Sequence, residues 1–243
     1  MKKIIKLGTV VLAVLSICIA LVACDEGSYD PSSTGKGTSI RMTAVKEEID
    51  SMKVEDFVAA EGVTDYVKIS VKDYGDIIVV LRADVAPKTV DNFKSLVEEG
   101  FDNGTVFHRV IENFMVQGGG YVVNDGKLSE KDAATIPGEF TNNGHTNTLT
   151  HVRGVISMAR LGESDKYTDA QNQAARDSAN SQFFIMHQTT TSLNDDYASF
   201  GYVLAGMDVV DAIATCEVDD PESGSPRPVT DVVVESITFV KPK

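Results

Sequence analysis

The chain has 243 residues, of which 36 are Asp or Glu and 22 are Lys or Arg, for a formal net charge of −14. That balance repels phosphate backbones and anionic lipid surfaces, so nucleic acid is not an expected partner. With three cysteines, Cys18, Cys24 and Cys216, and no long run of like residues, the composition points to one globular domain without a disulfide framework.

Residues 1–23 read as an export signal. Lys2, Lys3 and Lys6 give a positive start, and "LGTVVLAVLSICIA" is an uncharged apolar run too short to be a comfortable membrane span. The tetrapeptide Leu21-Val22-Ala23-Cys24 resembles the lipobox of bacterial lipoproteins. That resemblance implies cleavage before Cys24, acylation of its thiol, and a protein lipid-anchored from outside to a membrane of the bacterial cell envelope. An ordinary secretory signal or a single anchoring helix is the alternative. Cleavage takes Cys18 away, leaves Cys216 as the free thiol, and moves the charge from −14 to −17 by removing three lysines.

Residues 25–38, "DEGSYDPSSTGKGT", are rich in Gly, Ser, Asp and Pro and hold almost nothing apolar, so they read as a flexible spacer. From 40 to 61, Met42, Val45, Ile49 and Met52 recur at helical spacing, which suits either a short amphipathic helix or a loosely held segment. Together residues 24–62 form a tether, and the compact domain is expected over 63–243. It opens with "YVKISVKDYGDIIVVLRADVAP", two β-branched runs joined at Tyr-Gly, which predicts a hairpin. Val90, Phe93, Leu96 and Val97 share one helical face before Gly100, which predicts a helix over 89–98.

Short strands follow near 105–111, 114–117, 154–159, 181–186 and 197–204, then a second helix near 207–214 and a last strand in "DVVVESITFV". Many strands and two helices predict an all-β dominated fold, a closed barrel with helices over its ends. Residues 161–180, "LGESDKYTDAQNQAARDSAN", interrupt this pattern and read as an exposed loop with one helical turn in the Gln/Ala portion.

The chain lacks a Gly-x-Ser-x-Gly elbow, a phosphate-cradling glycine loop and a cysteine placed beside a base. His108, His145, His151 and His187 match no zinc spacing, so no metal and no cofactor is expected. What remains unusual is "FHRVIENFMVQGGG" (107–120), where Arg109 and Gln117 sit among large apolar side chains, and "SQFFIMH" (181–187). Phe183 and Phe184 fall on opposite strand faces, one for the core and one for a groove, unless both are core. Arg109 either serves a site or pairs with a carboxylate such as Glu139 to hold the fold shut.

The blocks "FHRVIENFMVQGG", "GEFTNNGHTNTLTHVRGVISMAR", "SQFFI" and "LNDDYASFGYVLAGMDVVDAI" resemble the signature blocks of cyclophilins, in family order across 66–240. The resemblance implies an eight-stranded antiparallel closed barrel capped by two α-helices. It also implies peptidyl-prolyl cis–trans isomerase activity on proline-containing unfolded or exported polypeptides, by a monomer without cofactor. Arg109 matches the family's catalytic arginine. Phe114, Met115, Phe184 and Leu193 match the apolar residues that receive the proline ring, and Gln117 and Gln182 the amides that position the substrate backbone. Ala159 and Arg160, the latter through its backbone, match positions that bind the preceding residue. Tyr197 stands where many members carry histidine. Ser192 stands where many carry tryptophan, which implies weak inhibition by cyclosporin. A peptide-holding chaperone or envelope scaffold with little turnover is the rival reading, and a solute-capturing lipoprotein would want two lobes of alternating strands and helices that this chain lacks.

Overall fold

The computed structural model describes residues 51–243. The signal, Cys24 and the spacer lie outside the described residues, as does the larger part of the helical pattern at 40–61. The elements in chain order are β1 (Phe57–Ala59), β2 (Tyr66–Val71), β3 (Gly75–Leu81), α1 (Pro87–Glu98), β4 (Arg109–Ile111), β5 (Met115–Gly118), β6 (Tyr121–Asn124) and β7 (Lys127–Glu130). They continue with β8 (Val155–Met158), α2 (Asp169–Arg176), β9 (Phe183–Met186), β10 (Ser199–Ala205), α3 (Met207–Ala214) and β11 (Val234–Pro242).

The expected hairpin is β2–β3, paired from Tyr66 opposite Val80 to Val71 opposite Gly75. Val67, Ile69 and Val71 point inward and are buried, while the alternate residues face outward, the two-residue period of a strand with one face on a core. One antiparallel sheet of nine strands runs β1-β11-β2-β3-β10-β8-β9-β5-β4, and β6–β7 form a separate hairpin. The count of eight is therefore corrected. One added strand is β1, which lies within the stretch weighed as a helix and pairs with β11, Phe57 opposite Pro242. Phe57 is buried against Ile78, Val80, Leu204 and Val240, and this packing favours an extended edge over a helix there. The strand order along the sheet is open from β1 to β4, yet the chain entering β4 meets the chain entering β11: Phe107 N donates to Val232 O at 2.9 Å and Val234 N to Thr105 O at 2.8 Å.

Three α-helices, not two, are present among the described residues. α1 begins with Pro87 at its first turn and buries Val90, Phe93 and Val97; Glu139 caps it, accepting from Thr89 N and Thr89 Oγ1, both at 2.8 Å. α3 buries Val209, Val210 and Ile213 against the same core, in which Phe93 meets Phe183 edge to face at 5.8 Å. α2 occupies the segment expected as a loop and spans eight residues rather than one turn, started by a reciprocal cap between Thr168 and Gln171.

Candidate active site

β4, β5 and β9 place the site by the alternation of their side chains. Arg109 stands opposite Gln117, Ile111 opposite Met115, Gln117 opposite Phe184, and Met115 opposite Met186. The intervening residues Val110, Val116, Phe183 and Ile185 turn into the main core. Met115, Val155, Phe184 and Met186 form a second buried cluster, against which Phe114, Ala159, Leu193 and Tyr197 pack partly buried. Phe183 thus serves the core and Phe184 the second cluster, with the Tyr197 ring edge-on to Phe184 at 5.6 Å.

A polar line runs along one side of this apolar patch. Arg109 Nε donates to Gly224 O at 3.0 Å and NH1 to Gln117 Oε1 at 3.3 Å, with Met115 Sδ at 3.6 Å. Gln117 Nε2 donates in turn to Gln182 Oε1 at 3.1 Å. Partial burial lowers the guanidinium pKa, opposed by Tyr197, and the group stays a cation at neutral pH. Glu139 does not pair with it; its carboxylate is taken up at the start of α1, so the structural ion pair considered for Arg109 is overturned.

Ala159 N donates to Gln182 O at 2.9 Å, which seats residues 159–160 beside the same amides. The Arg160 side chain is engaged elsewhere. Its Nε donates to Asp196 O at 2.7 Å, NH1 to Leu161 O at 2.8 Å and NH2 to Glu163 Oε1 at 3.2 Å. The guanidinium lies 5.0 Å from the Phe140 ring centre and 5.1 Å from that of Tyr197. Glu163 is shared with Arg176 of α2 at 2.6 Å, so the inserted segment is tied to the site rather than standing free as an exposed loop. Ser192 is exposed on the short turn that carries Leu193.

Several site residues escape sequence reasoning. His151 is fully buried and stacked on Phe184 at 6.0 Å; Nδ1 meets Asn194 Oδ1 and Nε2 meets Ser157 Oγ, both at 3.1 Å. Burial lowers its pKa, so the neutral ring donates from Nδ1 and accepts from Ser157. Behind Gln182 lie Asp102, His108 and Ser181, buried, with both Asp102 oxygens, His108 Nδ1 and Ser181 Oγ lacking a hydrogen-bond partner among the described residues. Burial pushes Asp102 up to about 7 and His108 down to about 4. No sequence signal but the adjoining glycines marks this cluster: a Cβ at Gly119 or Gly120 would meet Ser181 O or Gln182 Cγ at 2.5 and 2.7 Å. Among the described residues no group of three His, Cys, Asp or Glu is arranged to hold a metal.

Residues 66–239 match the family model "Cyclophilin type peptidyl-prolyl cis-trans isomerase/CLD". Peptidyl-prolyl cis-trans isomerase B of Escherichia coli is 37% identical over 174 residues, 68% of this chain and 94% of that protein. A longer isomerase of Arabidopsis thaliana is 33% identical over 84% of this chain, which spans 31% of its length. A cyclophilin type peptidyl-prolyl cis-trans isomerase of Cryptosporidium parvum covers 74% of the chain, and the chain covers 98% of it, with a TM-score of 0.58 at 25% identity. A second structure of that protein was solved in the presence of the dipeptide Ala-Pro and gives a TM-score of 0.55 over 72% of this chain and 98% of that one, at 26% identity. The chain belongs to the cyclophilin-type peptidyl-prolyl cis–trans isomerase family, and the reaction it catalyses is rotation about the peptide bond that precedes proline.

Proposed function

We propose that Arg109 carries the catalysis without a covalent step. Rotation about an Xaa–Pro bond must break amide resonance, a barrier of roughly 20 kcal/mol. Midway through the turn the prolyl nitrogen has lost conjugation and holds a lone pair. A fixed guanidinium N–H aimed at that nitrogen stabilises the twisted state more than either planar state, and only such a difference raises the rate. No bond breaks, so neither nucleophile nor cofactor enters the reaction.

The observation that carries this reading is that the three described partners of Arg109, Gly224 O, Gln117 Oε1 and Met115 Sδ, are all uncharged. They fix the plane of the fork while leaving its charge unneutralised and the two N–H donors of NH2 open. In this account the proline ring enters the cup of Phe114, Met115, Phe184 and Leu193, bounded by Tyr197. Gln117 and Gln182 hold the substrate backbone, and the preceding residue lies against Ala159 and the backbone of Arg160. The Ala-Pro dipeptide in the relative's structure supports a proline-containing peptide as the ligand class. Arg109→Ala is expected to lower kcat/KM on a prolyl tetrapeptide by roughly 10²–10³. Undiminished turnover by the folded variant would remove Arg109 from the mechanism.

Two wider statements belong to the same proposal. The sheet closes into a barrel, with the hydrogen bonds between 104–107 and 232–234 as its support. The protein is a monomer anchored by lipid on Cys24 outside a bacterial membrane, where it acts on exported polypeptides; "LVAC" after an apolar run supports this. A mass spectrum of the mature protein is expected to show an acylated N-terminal Cys24, and an unmodified N-terminus at any other residue would end the anchoring proposal.

A further inference from the structure

The geometry of the turn before Phe114 gives a task to His187, a residue used by nothing above. Asn113, at the tip of the β4–β5 turn, has φ 60°, a left-handed conformation that asparagine tolerates better than most residues other than glycine. Its position is fixed by the two residues after β9. Asn113 N–H donates to His187 Nδ1 at 2.9 Å, and the backbone N–H groups of His187 and Gln188 both donate to Phe114 O, at 3.0 and 3.2 Å. An amide can only donate, so Nδ1 is the acceptor nitrogen and the ring proton is on Nε2.

Nε2 faces Asp211 Oδ1, on α3, at 3.3 Å. That oxygen has no aligned hydrogen-bond partner of its own, so the 3.3 Å approach of Nε2 is an electrostatic contact that orients the ring rather than a formed hydrogen bond. Asp211 is itself clamped by Arg153, with NH2 at 2.7 Å from Oδ2 and NH1 at 2.7 Å from Oδ1, and Arg153 NH1 donates to His187 O at 2.9 Å. The circuit therefore runs from α3 through Asp211 and an imidazole in a defined tautomer to the amide of the residue that precedes Phe114.

We propose that His187 is a positioning residue of the isomerase: its ring, oriented by Asp211, fixes Asn113 and so sets where Phe114 stands in the proline pocket. This rests on the reading of Phe114 as a wall of that pocket. His187 touches no substrate; it acts through the turn. A positioning role for the pocket predicts a change in substrate affinity with little change in the turnover of bound substrate.

The test compares three variants of the protein in the isomerase assay. His187→Leu keeps side-chain bulk but removes the acceptor, and is expected to raise KM about fivefold with kcat within about twofold of wild type. His187→Asn returns an acceptor oxygen near the place of Nδ1 and is expected to bring KM back to within about twofold. Phe114→Ala is expected to raise KM at least as far as His187→Leu. If Phe114→Ala raises KM while His187→Leu does not, the positioning role fails and the pocket stands. If Phe114→Ala leaves KM unchanged, the pocket reading itself fails. His187→Asn as impaired as His187→Leu also overturns the role. Should His187→Leu not fold, the ¹⁵N spectrum of the wild-type imidazole decides: a proton on Nε2 is expected, and one on Nδ1 refutes the circuit.

Discussion

Two arginines flank the apolar cup, and they are held in opposite ways. Arg160 uses all three of its nitrogens on acceptors, lies between two aromatic rings, faces the Glu163 carboxylate, and leaves 6% of its side chain exposed. Arg109 makes two hydrogen bonds to uncharged oxygens and has no described carboxylate beside it. A charge that is already neutralised cannot gain much from a lone pair that develops during reaction, whereas a fixed and unpaired one can. Residue type alone does not separate the two; the identity of the partners does. On this contrast, the rate loss expected of Arg109→Ala comes with a melting temperature within about 4 °C of wild type, since no charged partner is stranded by its removal.

Arg160→Ala should do the reverse, and it is the largest stability effect expected in the site. The substitution removes a cation stacked between Phe140 and Tyr197 and leaves a void at a nearly buried position, so a loss of about 2 kcal/mol is expected in urea unfolding. Tyr197 loses its brace and with it the edge contact to Phe184. KM should therefore rise about threefold while kcat changes by less than about twofold. A fall in kcat comparable to that of Arg109→Ala, at unchanged stability, would break the comparison by giving both arginines the same task.

What the sequence disclosed, and what it did not, follows the same division between contiguous and dispersed features. Arg109, Phe114, Met115 and Gln117 lie within nine positions on one hairpin, so a two-residue period and a quoted block are enough to bring them together. The hairpin β2–β3 and helix α1 announce themselves by periodicity for the same reason. His151 and Ser157 lie six positions apart, and Asn194, 43 positions from His151, meets them only because the turn at Thr191–Leu193 folds over the start of β8. Glu139 lies 50 positions from the helix start it caps, and this distance leaves room for the mistaken pairing with Arg109. Strand β1 has three residues, too few to display any period. Helix α2 shows little apolar patterning, but Thr168 followed by Gln171 at three positions was a readable start signal for it.

The smallest effect concerns two buried titratable groups, Asp102 beside Gly119 and His108 beside Gln182. Asp102 has its folded pKa raised, by burial first and against the attraction of Lys131, from 3.8 to about 7. Its contribution to stability is full below pH 3.8 and is lost as pH rises toward 7, because the unfolded carboxyl ionises first. His108 has its folded pKa lowered, chiefly by burial, from 6.5 to about 4, so its contribution is full above pH 6.5 and is lost as pH falls toward 4. Between about pH 4 and 6.5 the two slopes oppose each other and the wild type is nearly flat from this source. Asp102→Asn deletes the falling limb alone. Its stability in urea should climb from pH 4 to 6.5 more steeply than that of wild type and stand about 1 kcal/mol higher relative to it by pH 7, with entering water reducing the full linkage value. Arg109 donates no hydrogen bond to either group, so kcat/KM of Asp102→Asn at pH 7.5 should stay within about twofold of wild type. Parallel stability profiles for the two proteins would show that Asp102 is ionised in the fold, and a matching loss of rate would mean that the charge at Arg109 depends on the layer beneath it and not on its three neutral partners alone.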